Sequence, residues 1–280
     1  MAEQTASQPS EFFPTIGAAF GGALLFSFPI LVTMEMWALG PSINGFQFAL
    51  LIVLWFPLLV GLSYYDGFEV TSGLFGDIID TLVAFAVGFA AAAAVLTLFN
   101  IVNGSTAGSD FFSKVSLLAL PASLGALLAQ SLLMIDDQAE AEAEERKLRT
   151  TYCGQLFLML AGGVFLSMSV APTEEIMLIG FKMTWWHAAA VMLFSIAAMH
   201  AFIHAVEYSG HSNALSPDES ELSVFIRYTV VGYALVLIVS YYILWTFGSI
   251  AGMELAQQIK TTVVLGVPAA FGASASRLIL

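Results

Sequence analysis

The chain has 280 residues, of which 59% are apolar and only 10% charged, with a mean hydropathy of +0.86. A soluble surface draws about a quarter of its residues from Asp, Glu, Lys and Arg, so a two-domain soluble enzyme is excluded and the chain reads as a helical membrane protein. The net charge of −13, from 21 acids against 8 bases, argues against nucleic acid and against an anionic-lipid anchor as the main partner.

In chain order, long apolar runs predict spans over 14–36, 46–65, 78–101, 115–135, 152–171, 186–206, 224–247 and 261–280. At about 20 residues per span these fill the length. The expected fold is all-α, a polytopic bundle of about eight transmembrane helices. Seven is the alternative, because Lys260 borders the last run and Ser and Gly dilute it. Breaker residues separate the runs: Gly40, Pro41 and Asn44; Asp66 and Gly67; Asn103, Gly104 and Gly108; Gly210, Asn213 and Pro217. The start carries Glu3 and Glu11 and lacks a basic segment, so the first run reads as a retained span.

With eight spans, Arg146, Lys147, Arg149, Arg227 and Arg277 fall on the side of the N-terminus, and Lys114, Lys182 and Lys260 on the other. Five bases against three favour cytoplasmic termini. The segment 136–150 holds six acids and three bases in an Ala- and Glu-rich stretch. It reads as a charged cytoplasmic linker, either a solvated helical connector or a docking site. The single cysteine, Cys153, permits no internal disulfide, and its place on an apolar face points to a structural rather than a reactive role.

The two halves repeat. Residues 22–40 (GALLFSFPILVTMEMWALG) align with 162–180 (GGVFLSMSVAPTEEIMLIG) at an offset of 140, matching Gly22/Gly162, Ser27/Ser167, Thr33/Thr173, Glu35/Glu175 and Gly40/Gly180. Residues 117–132 align with 264–279 at an offset of 147, sharing Pro121/Pro268, Gly125/Gly272 and a P-A-x-x-G-A pattern. This predicts a tandem parallel repeat of four-helix units, 1–135 and 151–280, joined by the 136–150 linker. A four-span unit returns to its starting side, so the copies share one orientation. Pro121 and Pro268 are expected to kink equivalent helices, or to belong to patches of close helix packing.

Glu35 and Glu175 are the strongest chemical signal. Glu35 follows more than twenty uncharged residues, and an ionisable group near a span costs enough that it usually faces the protein interior or a water-filled cavity. Helical spacing would align Ser27, eight residues earlier, with Glu35. Thr33 and Thr173 each precede their glutamate by two, and Glu174 stands beside Glu175. Hydroxyls and carboxylates make a hard oxygen environment for a cation or proton. The competing account is an interfacial salt bridge from Glu35 to Lys114, Lys182 or Lys260. His200, His204 and Glu207 occupy one face of the sixth run and suit a transition metal, although polar packing near the interface explains them as well. Asp77, Asp80, Asp218, Glu219 and Glu221 read as helix-start caps. Arg227 is expected to pair with one of these or to snorkel, and Trp37, Trp185 and Trp186 read as an outer aromatic belt.

The stretch TMEMWALG at 33–40, preceded by FSFPILV, resembles the seven-pass subgroup of the DUF2391 family of bacterial integral membrane proteins. Thr33, Glu35, Trp37 and Gly40 are the most specific part of a resemblance covering most of the chain. It implies seven spans where the repeat predicts eight, and it implies no activity. The expected function is a cation-conducting or proton-coupled transporter in which Glu35 and Glu175 bind or gate the ion near the outer face. The alternative is a non-transporting sensor or scaffold that docks a partner through the acidic linker. No phosphate loop, nucleophile pair or dinucleotide fingerprint points to an enzyme, and no cofactor is expected beyond a bound cation. The expected partners are the bilayer, the transported ion and a second copy of the chain.

Overall fold

The computed structural model describes residues 9–66, 74–133, 151–208 and 221–279, with side-chain surroundings for 15–64, 74–128, 151–202 and 222–276. The 136–150 linker, Asp218 and Glu219 lie outside the described residues. The elements are α1 Pro9–Leu31, α2 Met34–Ser42, α3 Gly45–Asp66, α4 Leu74–Leu98, α5 Gly108–Leu133, α6 Tyr152–Val170, α7 Glu174–Lys182 and α8 Trp185–Tyr208. A short α9 Glu221–Val224 passes through a π-helical segment Phe225–Val230 into α10 Val231–Thr246, and α11 Leu255–Ile279 follows. The regular structure of the described residues is entirely helical.

Among the described residues, seven helical stretches are long and apolar enough to cross a membrane, and the pair formed by α1 and α2 makes an eighth if it counts as one span. The last run, on which the span count turned, is a full helix and begins at Leu255 rather than Thr261, because Gln257, Gln258 and Lys260 are polar yet good helix formers. The first run is the one that departs from expectation. Instead of continuing to residue 36, it stops at Leu31 and resumes at Met34 with an 84° bend. The Thr33 hydroxyl donates to Pro29 O at 2.6 Å and the Thr33 amide to Ile30 O at 3.2 Å, which closes the final turn locally. The Met36 amide then bonds Thr33 O and starts the next helix.

Packing divides the chain into two compact units, 1–41 with 54–143 and 42–53 with 144–280. In the first unit α5 packs on both α1 and α4. Small residues set these seams. A Cβ on Gly125 would lie 2.8 Å from Gly22 O, one on Gly88 2.7 Å from the Ser123 amide, and one on Gly40 2.8 Å from the Lys114 amide. Backbones therefore touch where a side chain would hold them apart, which is how helices associate when lipid is as apolar as their side chains. Trp55, buried on α3, donates from Nε1 to Ser123 Oγ on α5 at 3.2 Å, and Phe56 meets Phe85 with ring centroids 5.5 Å apart.

In the second unit α11 is the helix on which α6, α7, α8 and α10 pack. Gly162 and Gly272 face each other so closely that a Cβ on either would overlap the other's carbonyl. A Cβ on Gly180 of α7 would lie 2.6 Å from Thr261 Oγ1 of α11. Met159, Met199, Tyr228, Tyr233, Val236 and Ala269 form the core beside this seam. The connection from α10 to α11 turns at Gly248 and Gly252, whose φ angles of 74° and 73° suit glycine.

Candidate functional site

The paired acids stand at two helix interruptions, one in each unit. Glu35 is the second residue of α2 and is half-buried; Thr33 sits in the break, and Ser27 is fully buried two turns earlier with its hydroxyl donating to Ala23 O. In the second unit α6 ends at Val170 and α7 opens with Glu174 and Glu175, both exposed. Thr173 holds an extended conformation at φ −74° and ψ 139°, and its hydroxyl donates back to Val170 O at 2.9 Å rather than capping α7. Ser167 is fully buried and its Oγ has no hydrogen-bond partner.

This geometry corrects one sequence inference. The spacing that aligned Ser27 with Glu35 assumed a continuous helix, and the 84° bend lies between them. The same holds for Ser167 and Glu175, separated by the turn at 171–173. What the two sites share is a first-turn carboxylate after a break. There the free amides and the helix dipole favour a negative charge by about 0.3–1 kcal/mol.

Lys260 is committed elsewhere. Its ammonium donates to Met183 O at 3.1 Å, capping the end of α7, and lies 6.0 Å from the Trp185 ring centroid. Lys182, in the last turn of α7, is exposed. Trp185 is exposed and Trp186 is 86% exposed, as aromatic residues of an interfacial belt should be. Cys153 is exposed at the start of α6. Pro121 is buried in α5 and Pro268 half-buried in α11, and both helices run through their prolines as single elements. Breaks between helices stand at Thr33 and Thr173.

His200 Nδ1 lies 3.0 Å from Thr229 Oγ1, and its ring meets Phe225 edge to face at 5.0 Å. The side chains of His204 and Glu207 lie outside the described residues. Among the described residues no group of three His, Cys, Asp or Glu could hold a metal. Thr229 and Phe225 belong to the π-helical segment, a feature the sequence reading missed. Arg227 in that segment stacks over Tyr152, 4.7 Å from its centroid, while the Tyr152 hydroxyl donates to Arg227 O at 2.8 Å. The arginine was expected to pair with an acid or to snorkel, and the stacking on Tyr152 is an addition to both.

The sequence reading also passed over the inner face of α4. Asp77 lies in the first turn, where capping explains it, but Asp80 lies in the second turn, beyond the free amides. Both are buried, with Thr81. Their spacing of three and four residues, continuing through Ala84, Gly88 and Ala91, was the signal available.

Seven or eight apolar helices among the described residues, small-residue seams and buried polar groups define a polytopic helical membrane protein. The chain matches the family described as "Putative integral membrane protein (DUF2391)" over residues 15–280, and it belongs to that family. No curated protein and no solved structure matches it.

Proposed function

We infer that the chain is a transporter rather than an enzyme, moving a cation or protons across the bacterial inner membrane with its termini in the cytoplasm. Glu35 and Glu175 bind or gate the ion, each in its own unit. The observation that carries this reading is the recurrence of one arrangement: a fully buried serine, a helix broken at a threonine, and a carboxylate two residues further on. Interrupted helices are where transporters bind substrates and coupling ions, because freed backbone groups and helix ends supply ligands within the bilayer.

The glycine seams support the tandem repeat of 1–135 and 151–280. Gly22 meets Gly125 in one unit and Gly162 meets Gly272 in the other, and these are matched positions at offsets of 140 and 147. Gly40 packs on Lys114 and Gly180 on Thr261, again matched pairs. The test is flux in proteoliposomes, with proton-sensitive and sodium-sensitive dyes. The E35Q/E175Q double variant should lose flux while keeping its helical circular dichroism. Flux equal to wild type would overturn the role of the pair.

A further inference from the structure

Hydroxyls on these helices commonly bond their own backbone. Ser27, Ser169, Ser195, Thr262 and Ser274 each donate to the carbonyl four residues earlier, the usual resting place for a hydroxyl inside a helix. Ser167 on α6 and Ser240 on α10 do not. Both are fully buried, and the Oγ of each has no hydrogen-bond partner.

The packing of α6 against α10 sets these two serines at one level. At the start of α6 the Tyr152 hydroxyl donates to Arg227 O, and its ring meets Tyr228 edge to face at 5.4 Å. Further on, a Cβ on Gly232 would run into Met159 Cε, and a Cβ on Gly163 would lie 3.7 Å from Val236 Cγ2. These contacts climb both helices in the same order, so α6 and α10 run parallel, and Met159/Gly232 and Gly163/Val236 share a separation of 73 residues. Four residues beyond Gly163 is Ser167, and four beyond Val236 is Ser240. Positions i and i+4 stand one above the other on a helix face. The next step of the same contact row therefore brings the two unbonded hydroxyls opposite each other.

We propose that Ser167 and Ser240 form part of a binding site for a monovalent alkali cation in the second unit. A buried hydroxyl left without a hydrogen bond carries a desolvation cost that an apolar residue of the same shape would avoid. Two at one level are accounted for when an ion takes their lone pairs. The helix ends set the sign of its charge. Ser167 lies in the last turn of α6, which ends at Val170, and the parallel α10 ends on the same side at Thr246, so both dipoles place their negative ends there. Pro172 has no amide to give Met168 O, which adds to that end. Neither α6 nor α10 carries an Asp or Glu. A divalent ion, held in proteins largely by carboxylates, is therefore unsuited, whereas neutral oxygens can replace the hydration shell of an alkali ion. A proton has no base to settle on, because a serine hydroxyl does not take one near neutral pH. The inference rests on the reading of the chain as a cation transporter and names the class of ion.

The experiment is thermal unfolding of the purified full chain in detergent, with NaCl, KCl and CaCl2 in separate arms and choline chloride at matched ionic strength as control. NaCl or KCl should raise the unfolding midpoint saturably above the choline control, and CaCl2 should not. S167A/S240A should unfold in choline at or above the wild-type midpoint, because the hydroxyls it gives up have no bond, and should lose at least about tenfold in apparent alkali-ion affinity. S167A and S240A singly should each lose at least about threefold, which keeps the test sharp if the double variant misfolds. S169A, whose hydroxyl bonds Phe165 O, is the control and should keep the wild-type affinity. Equal midpoints in all four salts, as a bridging water would give, a calcium response above both alkali responses, or an alkali shift undiminished in the serine variants would overturn the site. E35Q/E175Q should keep the alkali shift while losing flux. Wild-type proton flux with no alkali shift removes this site and leaves the acid pair in place; an alkali shift with E35Q/E175Q flux unchanged does the reverse.

Discussion

The Gly162–Gly272 contact gives the sharpest test of how the second unit is held together. In Gly162→Ala the new methyl would overlap Gly272 O and lie 2.7 Å from Ser276 Cβ. Carbon atoms rest at about 3.5–4.0 Å, so α6 and α11 must separate by roughly 1 Å, and a gap of that size forfeits a quarter to a half of each pairwise attraction along the seam. Overpacking of this kind costs about 1–3 kcal/mol. Gly21→Ala is the matched control, since nothing lies within 4 Å of its Cβ position. There the substitution only gains helix propensity, about 0.8–1.0 kcal/mol. Gly162→Ala gains the same propensity, so the two variants should differ by the overpacking cost alone, about 1–3 kcal/mol, with Gly162→Ala the less stable. Equilibrium unfolding in mixed SDS micelles, followed by the helical circular dichroism signal, reads the difference as a shift in the SDS mole fraction at the midpoint. Gly272→Ala should behave like Gly162→Ala, and Gly125→Ala should also destabilise, with Gly22 O 2.8 Å away. A Gly162→Ala midpoint at or above that of Gly21→Ala would refute the close-contact seam.

Three smaller perturbations use the same assay. Lys260→Met removes the bond to Met183 O and the approach to Trp185; because the side chain is only half-buried, the expected loss is about 1 kcal/mol, and an unchanged midpoint would show that the end of α7 needs no cap. Tyr152→Phe takes away the hydroxyl that serves Arg227 O in the π-helical segment and should cost about 1 kcal/mol, while a stabilised variant would contradict that bond. For the His200–Thr229 contact at 3.0 Å, a double-mutant cycle of His200→Phe and Thr229→Val should give a coupling of at least about 0.5 kcal/mol; strict additivity would argue against it.

Much of the architecture follows from runs of apolar residues, and the reasons some features do not are physical. The span 224–247 is legible because apolar residues persist longer than any soluble core helix requires. The break after Leu31 is not, since FSFPILVTMEMW stays apolar on both sides of it and hydropathy carries no information about dihedral angles. Only Pro29 and the hydroxyl of Thr33, which captures the Pro29 carbonyl, mark the place. The His200–Thr229 contact joins residues 29 apart, and the stacking of Arg227 on Tyr152 joins residues 75 apart, so neither leaves a local periodicity to read.

Burial of charge is the subtler case. In water a helix shows its interior by its apolar stripe. In a bilayer apolar residues are welcome on every side, and the informative residues become the small and the polar ones. Read by position along the chain, Asp77 and Asp80 belong to a helix start and invite a capping explanation. Read by face, they continue the row of Thr81, Ala84, Gly88 and Ala91 that packs inside the unit, while Ile78, Ile79 and Leu82 are exposed. The same rule applied to α1 and α6 selects Gly22 and Gly162, the positions where α5 and α11 come closest. A single criterion, which face carries the small and polar residues, thus orients the helices of both units and separates a carboxylate that caps a helix from one that is buried within it.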